Sequence, residues 1–167
     1  MNPLIANRRS IRKFDPSAEI SKTDLIEILK AAQFAPSACN SRPWEFIAVT
    51  GRANLNALAD AHPFAQMCRT ASAVIIVIVT PQQGIPEGFF PQDGAAATQN
   101  ILLQALELGY GTCWCGVYPK EPHITFLRKM YDIAEPKIPF SFIAVGKPAE
   151  HPDARGHYEE SKVRFVE

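Results

Sequence analysis

The chain has 167 residues, 47% of them hydrophobic, with 17 Lys and Arg set against 17 Asp and Glu. That is enough for one domain with its own core, and the zero net charge excludes the overall basic field that nucleic acid or an anionic membrane would attract. The first residues hold no apolar run long enough for a secretory signal, and the most apolar stretch, 71–79, is about half a membrane span, so a cytoplasmic protein with no membrane and no nucleic-acid partner is expected.

In chain order, Pro3 to Asn7 opens as a short helix carrying Leu4 and Ile5. Ser21 is placed to cap a second helix, with Asp24 three residues on in an approximate capping box. Leu25, Ile28, Leu29 and Ala32 give that helix one apolar face, and Pro36 stops it. Trp44 to Thr50 is expected as a strand and Asn54 to Ala61 as a short helix. Thr70 to Thr80 is the strongest strand, since its V-I-I-V-I-V core is β-branched. Unbroken apolarity there requires cover on both faces, which places the strand inside a sheet.

Pro81 to Pro91 is rich in Gly and Pro and is expected as a loop. Asp93 to Leu108 is the longest helix, with Asp93 as N-cap, Gly94 a flexible residue behind it, and apolar residues over most of its surface. Gly109-Tyr110-Gly111 ends it, and an apolar run follows. A short helix, Ile124 to Met130, and a strand, Pro139 to Val145, complete the regular elements. The last twenty residues are polar and carry few apolar anchors; such a tail either crosses to a partner chain or stays disordered. Helices interleaved with three or four strands imply α+β or α/β packing, in a single domain over 1–167 without repeat or linker.

Three segments carry chemistry. In Asn7-Arg8-Arg9-Ser10-Ile11-Arg12-Lys13-Phe14, Ile11 and Phe14 can anchor the chain while guanidinium forks and a hydroxyl meet a phosphate; a solvated basic turn explains the same charges. In Ala35-Pro36-Ser37-Ala38-Cys39-Asn40-Ser41-Arg42-Pro43-Trp44, small side chains would let a ligand ring approach the backbone, with Ser37 and Asn40 as hydrogen-bonding groups; a plain loop is the alternative. The third, Gly109 to Pro119, has the wrong surroundings for a dinucleotide fingerprint, because a helix precedes it and an apolar run follows.

Cys113 and Cys115 are one residue apart, which suits neither a redox CxxC nor a zinc knuckle. No metal site is expected, and buried small hydrophobes are the ordinary role of such cysteines. No GxSxG is present, and none of His62, His123, His151 and His157 stands in a catalytic motif; His62 and His151 precede prolines, as loop residues do. Phosphate-binding arginines without a protein nucleophile suggest that the hard chemistry belongs to a cofactor.

Taken together, R-R-S-I-R-K-F, A-P-S-A-C-N-S-R-P-W and D-G-A-A-A-T-Q-N-I-L-L-Q-A-L-E-L-G-Y-G-T-C-W resemble the FMN-dependent nitroreductase superfamily, in its compact branch. The match is collinear from about Asn7 to Gly146. The resemblance implies an α+β, three-layer fold, with a mostly antiparallel central sheet flanked by helices, in a homodimer with FMN at the subunit interface. It implies that Arg8, Arg9, Ser10 and Arg12 meet the phosphate and ribityl end of FMN. Pro36, Ser37, Ala38 and Asn40 would line the isoalloxazine ring, those two groups coming from opposite subunits, with Asn100 near the flavin. Cys115 and Gly116 would pass the N5 edge, and Arg155 and His157 would close over the phosphate from a tail, 148–167, that packs on the partner.

The implied activity is hydride transfer from NADH or NADPH through flavin N5 to an electron-poor acceptor such as a nitroaromatic or quinone, with no protein residue as catalyst. An enzyme specific for one metabolite and a non-catalytic FMN-binding or delivery protein are the alternatives. The chain departs from the family pattern in three ways. Arg42 stands where Gln is usual before Pro-Trp, His157 stands where Arg is more frequent, and the long helical excursion over the active site is missing.

Overall fold

A computed structural model describes residues 1–61 and 64–167; the loop position assigned to His62 lies outside them. The most apolar run forms β2 (Ala73–Val79), every residue of which is buried. Its side chains alternate between two cores. Val74, Ile76 and Ile78 join one hydrophobic cluster, and Ala73, Ile75, Val77 and Val79 join the other. Burying each Val or Ile contributes about 1.5–3 kcal/mol, so this strand ties both layers to the sheet.

The sheet order is β1 (Trp44–Val49), β2, β4 (Ile138–Gly146), β3 (Gly111–Gly116). All three pairings are antiparallel, and β2 lies inside the sheet as its apolarity requires. One face is covered by α2 (Lys22–Gln33) and α4 (Phe90–Glu107), which supply Leu25, Ile28, Ala32, Ile101, Leu102 and Ala105. The other is covered by α3 (Arg52–Ala61) and α5 (Glu121–Tyr131), through Leu55, Leu58, Ile124 and Leu127. The result is the expected three-layer α+β arrangement; α1 (Pro3–Asn7) stands at the N-terminus.

The departures from expectation sit at element ends. α4 begins at Phe90, inside the segment expected as a loop, because Pro91 occupies a first-turn position where a missing N–H costs nothing. Asp93 is therefore not the N-cap: its own N–H bonds to Phe89 O at 3.0 Å, and Phe89 is the cap residue. Gly94 leaves no room for a side chain, for a Cβ there would lie 2.9 Å from the Phe140 ring and 3.0 Å from Val79. α3 and α5 begin at Arg52 and Glu121, ahead of their first apolar contacts. The apolar run after Gly109 is β3, an edge strand.

Ser21 caps α2 as expected, its Oγ accepting the N–H of Asp24 at 3.0 Å. Asp24 does not complete a reciprocal box in its side-chain bonding; its carboxylate accepts the hydroxyl of Tyr110 at 2.7 Å. Gly109 closes α4 with φ +77°, a conformation that favours glycine. No helix among the described residues is long and apolar enough to cross a membrane.

Candidate functional site

The arginine segment lies along the β3 edge of the sheet. Ser10 forms an isolated parallel bridge with Thr112, and the Ile11 N–H donates to Thr112 O at 2.8 Å. Ile11 is buried directly over Gly111, where a Cβ would fall 2.9 Å from the Ile11 side chain. Phe14 is buried over Gly146 in the same way and bridges to Pro148. The two apolar anchors thus fasten the segment, as the sequence suggests, and leave the intervening polar side chains at the sheet edge.

The far end of the chain completes the attachment. Asp15 N donates to Lys147 O and Ala149 N to Lys13 O, both at 2.9 Å. The carboxylate of Glu150 accepts the N–H of Arg12 at 2.6 Å and of Lys13 at 3.1 Å. These bonds, that of Arg12 first, hold the Glu150 carboxyl below its ordinary range against the effect of burial. Glu150 carries no sequence signal for this role, since 138 residues separate it from Arg12.

Three adjoining cavities open around this edge. One of about 260 Å³ is lined by Arg8, Arg9, Ile11, Tyr110, Thr112 and Glu150, among others. A second, about 500 Å³, is lined by Arg8, Ser10, Gln99, Leu102, Thr112, Trp114 and Gly116. The third, about 570 Å³, includes Arg12, Cys113, Trp114, Cys115, Gly116, Tyr118 and Lys120. The structure therefore brings Arg8, Arg9, Ser10, Arg12, Cys115 and Gly116 to one side of the protomer. Arg9 Nη1 is buried there without a hydrogen-bond partner.

The loop 36–42 sits elsewhere, against the N-terminal half of α4. Ala38 N donates to Asp93 Oδ1 at 2.9 Å, so the buried Asp93 anchors this loop. Ser37 Oγ accepts the Arg42 N–H at 2.9 Å, and Asn40 Oδ1 accepts from Arg42 Nε at 3.1 Å. Cys39, Asn40 and Arg42 all have φ between 49° and 52°, a left-handed conformation that is uncommon outside glycine. Arg42, the unusual residue before Pro-Trp, thus braces Asn40. None of Pro36, Ser37, Ala38 and Asn40 lines the three cavities at the arginine segment.

Three further positions that the resemblance names lie away from these cavities. The Asn100 amide donates to Ala31 O at 2.9 Å, joining α4 to α2, while Gln99 lines the cavity with Arg8 and Ser10. Arg155 and His157 are exposed in the tail, and His157 Nε2 lies 2.6 Å from Glu159 Oε1. Among the described residues no group of three or more His, Cys, Asp or Glu is arranged to hold a metal ion. Trp114, which the sequence does not single out as a site residue, projects between two of the cavities and is 36% exposed.

Comparison with known proteins bears on the family and the fold. A model of the Nitroreductase family matches residues 5–71 and 63–147. A protein of Methanothermobacter thermautotrophicus, described as a candidate NADH dehydrogenase/NAD(P)H nitroreductase, is 40% identical over 161 residues, spanning 96% of this chain and 84% of its own. A candidate NADH oxidase structure from Clostridium acetobutylicum superimposes with a TM-score of 0.91 at 32% identity, covering 98% of this chain and 99% of that one. A candidate nitroreductase of a Desulfovibrio desulfuricans subspecies, solved in complex with FMN, gives a TM-score of 0.81 at 26% identity, covering 100% and 98%.

Proposed function

This chain belongs to the nitroreductase family, and we propose that it is an FMN-dependent oxidoreductase that uses NADH or NADPH to reduce an electron-poor acceptor, a nitroaromatic or a quinone. The observation that carries the cofactor is Arg9 Nη1, buried without a partner beside Arg8 and the Ser10 edge. A buried guanidinium N–H left unmatched is costly, and a phosphate oxygen satisfies it with a charge-assisted bond. Gly116 adds room, for nothing lies within 4 Å of where its Cβ would be.

Bound FMN supplies hydride acceptance and donation, chemistry that no side chain here can perform. The chain's own residues bind and orient. Arg8, Arg9, Ser10 and Arg12 hold the phosphate and ribityl end, and the Glu150 carboxylate fixes the backbone from which Arg12 projects. Cys115 and Gly116, on an edge strand, present backbone and open space for a planar ring. Positioning substrate against cofactor would lower the barrier without a protein nucleophile.

The site is shared between two copies of the chain. Loop 36–42 and the arginine segment occupy different regions of one protomer, so a second copy supplies the missing wall. The tail, 148–167, would reach it: Tyr158, Val163, Phe165 and Val166 are all exposed apolar groups on a single protomer, and Arg155 and His157 travel with them toward the phosphate. The test is FMN affinity, read by quenching of flavin fluorescence. Arg9→Met is expected to weaken binding at least tenfold with little change in melting temperature; unchanged affinity would remove the phosphate assignment.

A further inference from the structure

α4 turns Gln99, Leu102 and Leu106 toward the arginine segment, where they line cavities together with Arg8. Their spacing of three and then four residues puts them in one stripe on the helix. Leu102 is buried and Leu106 half-buried, and Gln99, itself half-buried, is the polar member of that stripe. An amide in such surroundings is costly unless it is hydrogen-bonded. Yet no hydrogen bond joins the Gln99 amide, or the Ser10 hydroxyl, to any other described residue. The neighbouring Asn100, by contrast, donates to Ala31 O at 2.9 Å.

The three cavities along the β3 edge follow one another. The cavity of about 500 Å³ shares Arg8, Leu102 and Thr112 with the one at Arg9, and Trp114 and Gly116 with the one at Arg12. It therefore runs from the phosphate cradle to the open space beside Gly116. Ser10 and Gln99 line this middle cavity and neither of its neighbours. A phosphate offers only acceptors and suits arginine, whereas a hydroxyl both donates and accepts, as does a glutamine amide. The middle cavity thus offers hydroxyl-binding groups between a phosphate-binding end and an open end.

We propose that Gln99 is a cofactor-binding residue whose side-chain amide, together with Ser10, exchanges hydrogen bonds with the hydroxyls of the ribityl chain that joins the flavin ring to its phosphate. This rests on the flavin reading above and adds to it a residue that discriminates hydroxylated flavins from the bare ring. The guanidinium groups then set the affinity for the phosphate, and the Gln99 amide sets the affinity for the chain. Flavins that lack one part or the other separate the two contributions.

The test uses the full chain freed of bound flavin and reads affinity from flavin fluorescence. The ligands are FMN, riboflavin, which lacks the phosphate, and lumiflavin, which lacks the ribityl chain as well. Gln99→Met keeps the length of the side chain without its polar atoms, and Gln99→Leu, which continues the apolar stripe, is the second variant. Both are expected to weaken FMN and riboflavin equally, by about tenfold, and to leave lumiflavin unchanged. Arg9→Met is expected to weaken FMN and leave riboflavin unchanged. Unaltered riboflavin affinity in the Gln99 variants, or an equal loss for lumiflavin, would overturn the proposal while the flavin reading stands. A parent chain that binds none of the three flavins would overturn both.

Discussion

The Glu150 carboxylate accepts the backbone N–H of Arg12 at 2.6 Å, so a residue near the start of the C-terminal tail also fixes a residue of the phosphate-binding segment. Removing it should loosen the segment more than the fold. Glu150→Ala is expected to weaken FMN binding about tenfold and to cost about 1 kcal/mol of stability, measured by flavin titration and by urea unfolding. Equal binding in the two proteins would show that the contact positions nothing.

The same contact sets a pH dependence. The Glu150 carboxyl is lowered in the fold, first by the bond from Arg12 N, so the native state binds its proton less readily than the unfolded chain. Its stabilising contribution is fully present above the unfolded carboxyl value and is lost as pH falls through the folded one. Glu150→Gln, which has no carboxyl to protonate, should therefore bind flavin more weakly at neutral pH and lose less of that binding on acidification than the parent. A coincident release curve would contradict this.

Gly111 has no room for a side chain. A Cβ there would lie 2.9 Å from Ile11, and overpacking of this kind costs about 1–3 kcal/mol. Gly111→Ala should lower the unfolding free energy by that amount and push the arginine segment off β3. A nearly normal melt together with lost flavin binding would mean that the segment alone yields, whereas a loss of neither would contradict the packing.

Much of this architecture can be read from residue order. β2 shows its double burial directly, since no face of Val74 to Val79 is polar, and Ile11 and Phe14 mark the anchored side of the arginine segment. The missed features share one physical cause: they depend on partners distant in sequence. Asp93 has the look of a helix cap but is buried as the acceptor for Ala38 N, 55 residues away, and Glu150 meets Arg12 N across 138 residues. β3 carries two cysteines, a tryptophan and glycines, so its residues give little strand signal until β4 pairs with it.

Asp93 gives a direct check of that reassignment. Asp93→Asn keeps an oxygen acceptor for Ala38 N, whereas Asp93→Leu leaves that N–H unmatched at a cost of about 1–3 kcal/mol. Thermal melts should place Asn close to the parent and Leu well below it. If both variants melt together near the parent, the bond does not hold the 36–42 loop.

The shared site predicts a dimer that depends on the tail. Deleting residues 151–167 should convert a dimer to a monomer by light scattering and release most of the FMN. A truncated chain that stays dimeric and yellow would assign the interface and the cofactor to other surfaces.

The most direct measurement is the anaerobic absorbance spectrum of the purified protein before and after adding NADH or NADPH, then an acceptor such as a nitroaromatic or a quinone. The account predicts a flavin spectrum that bleaches with at least one donor and returns, with stoichiometric loss of acceptor, when the acceptor is added. A colourless protein with no affinity for FMN, or a bound flavin that neither donor reduces, would contradict it.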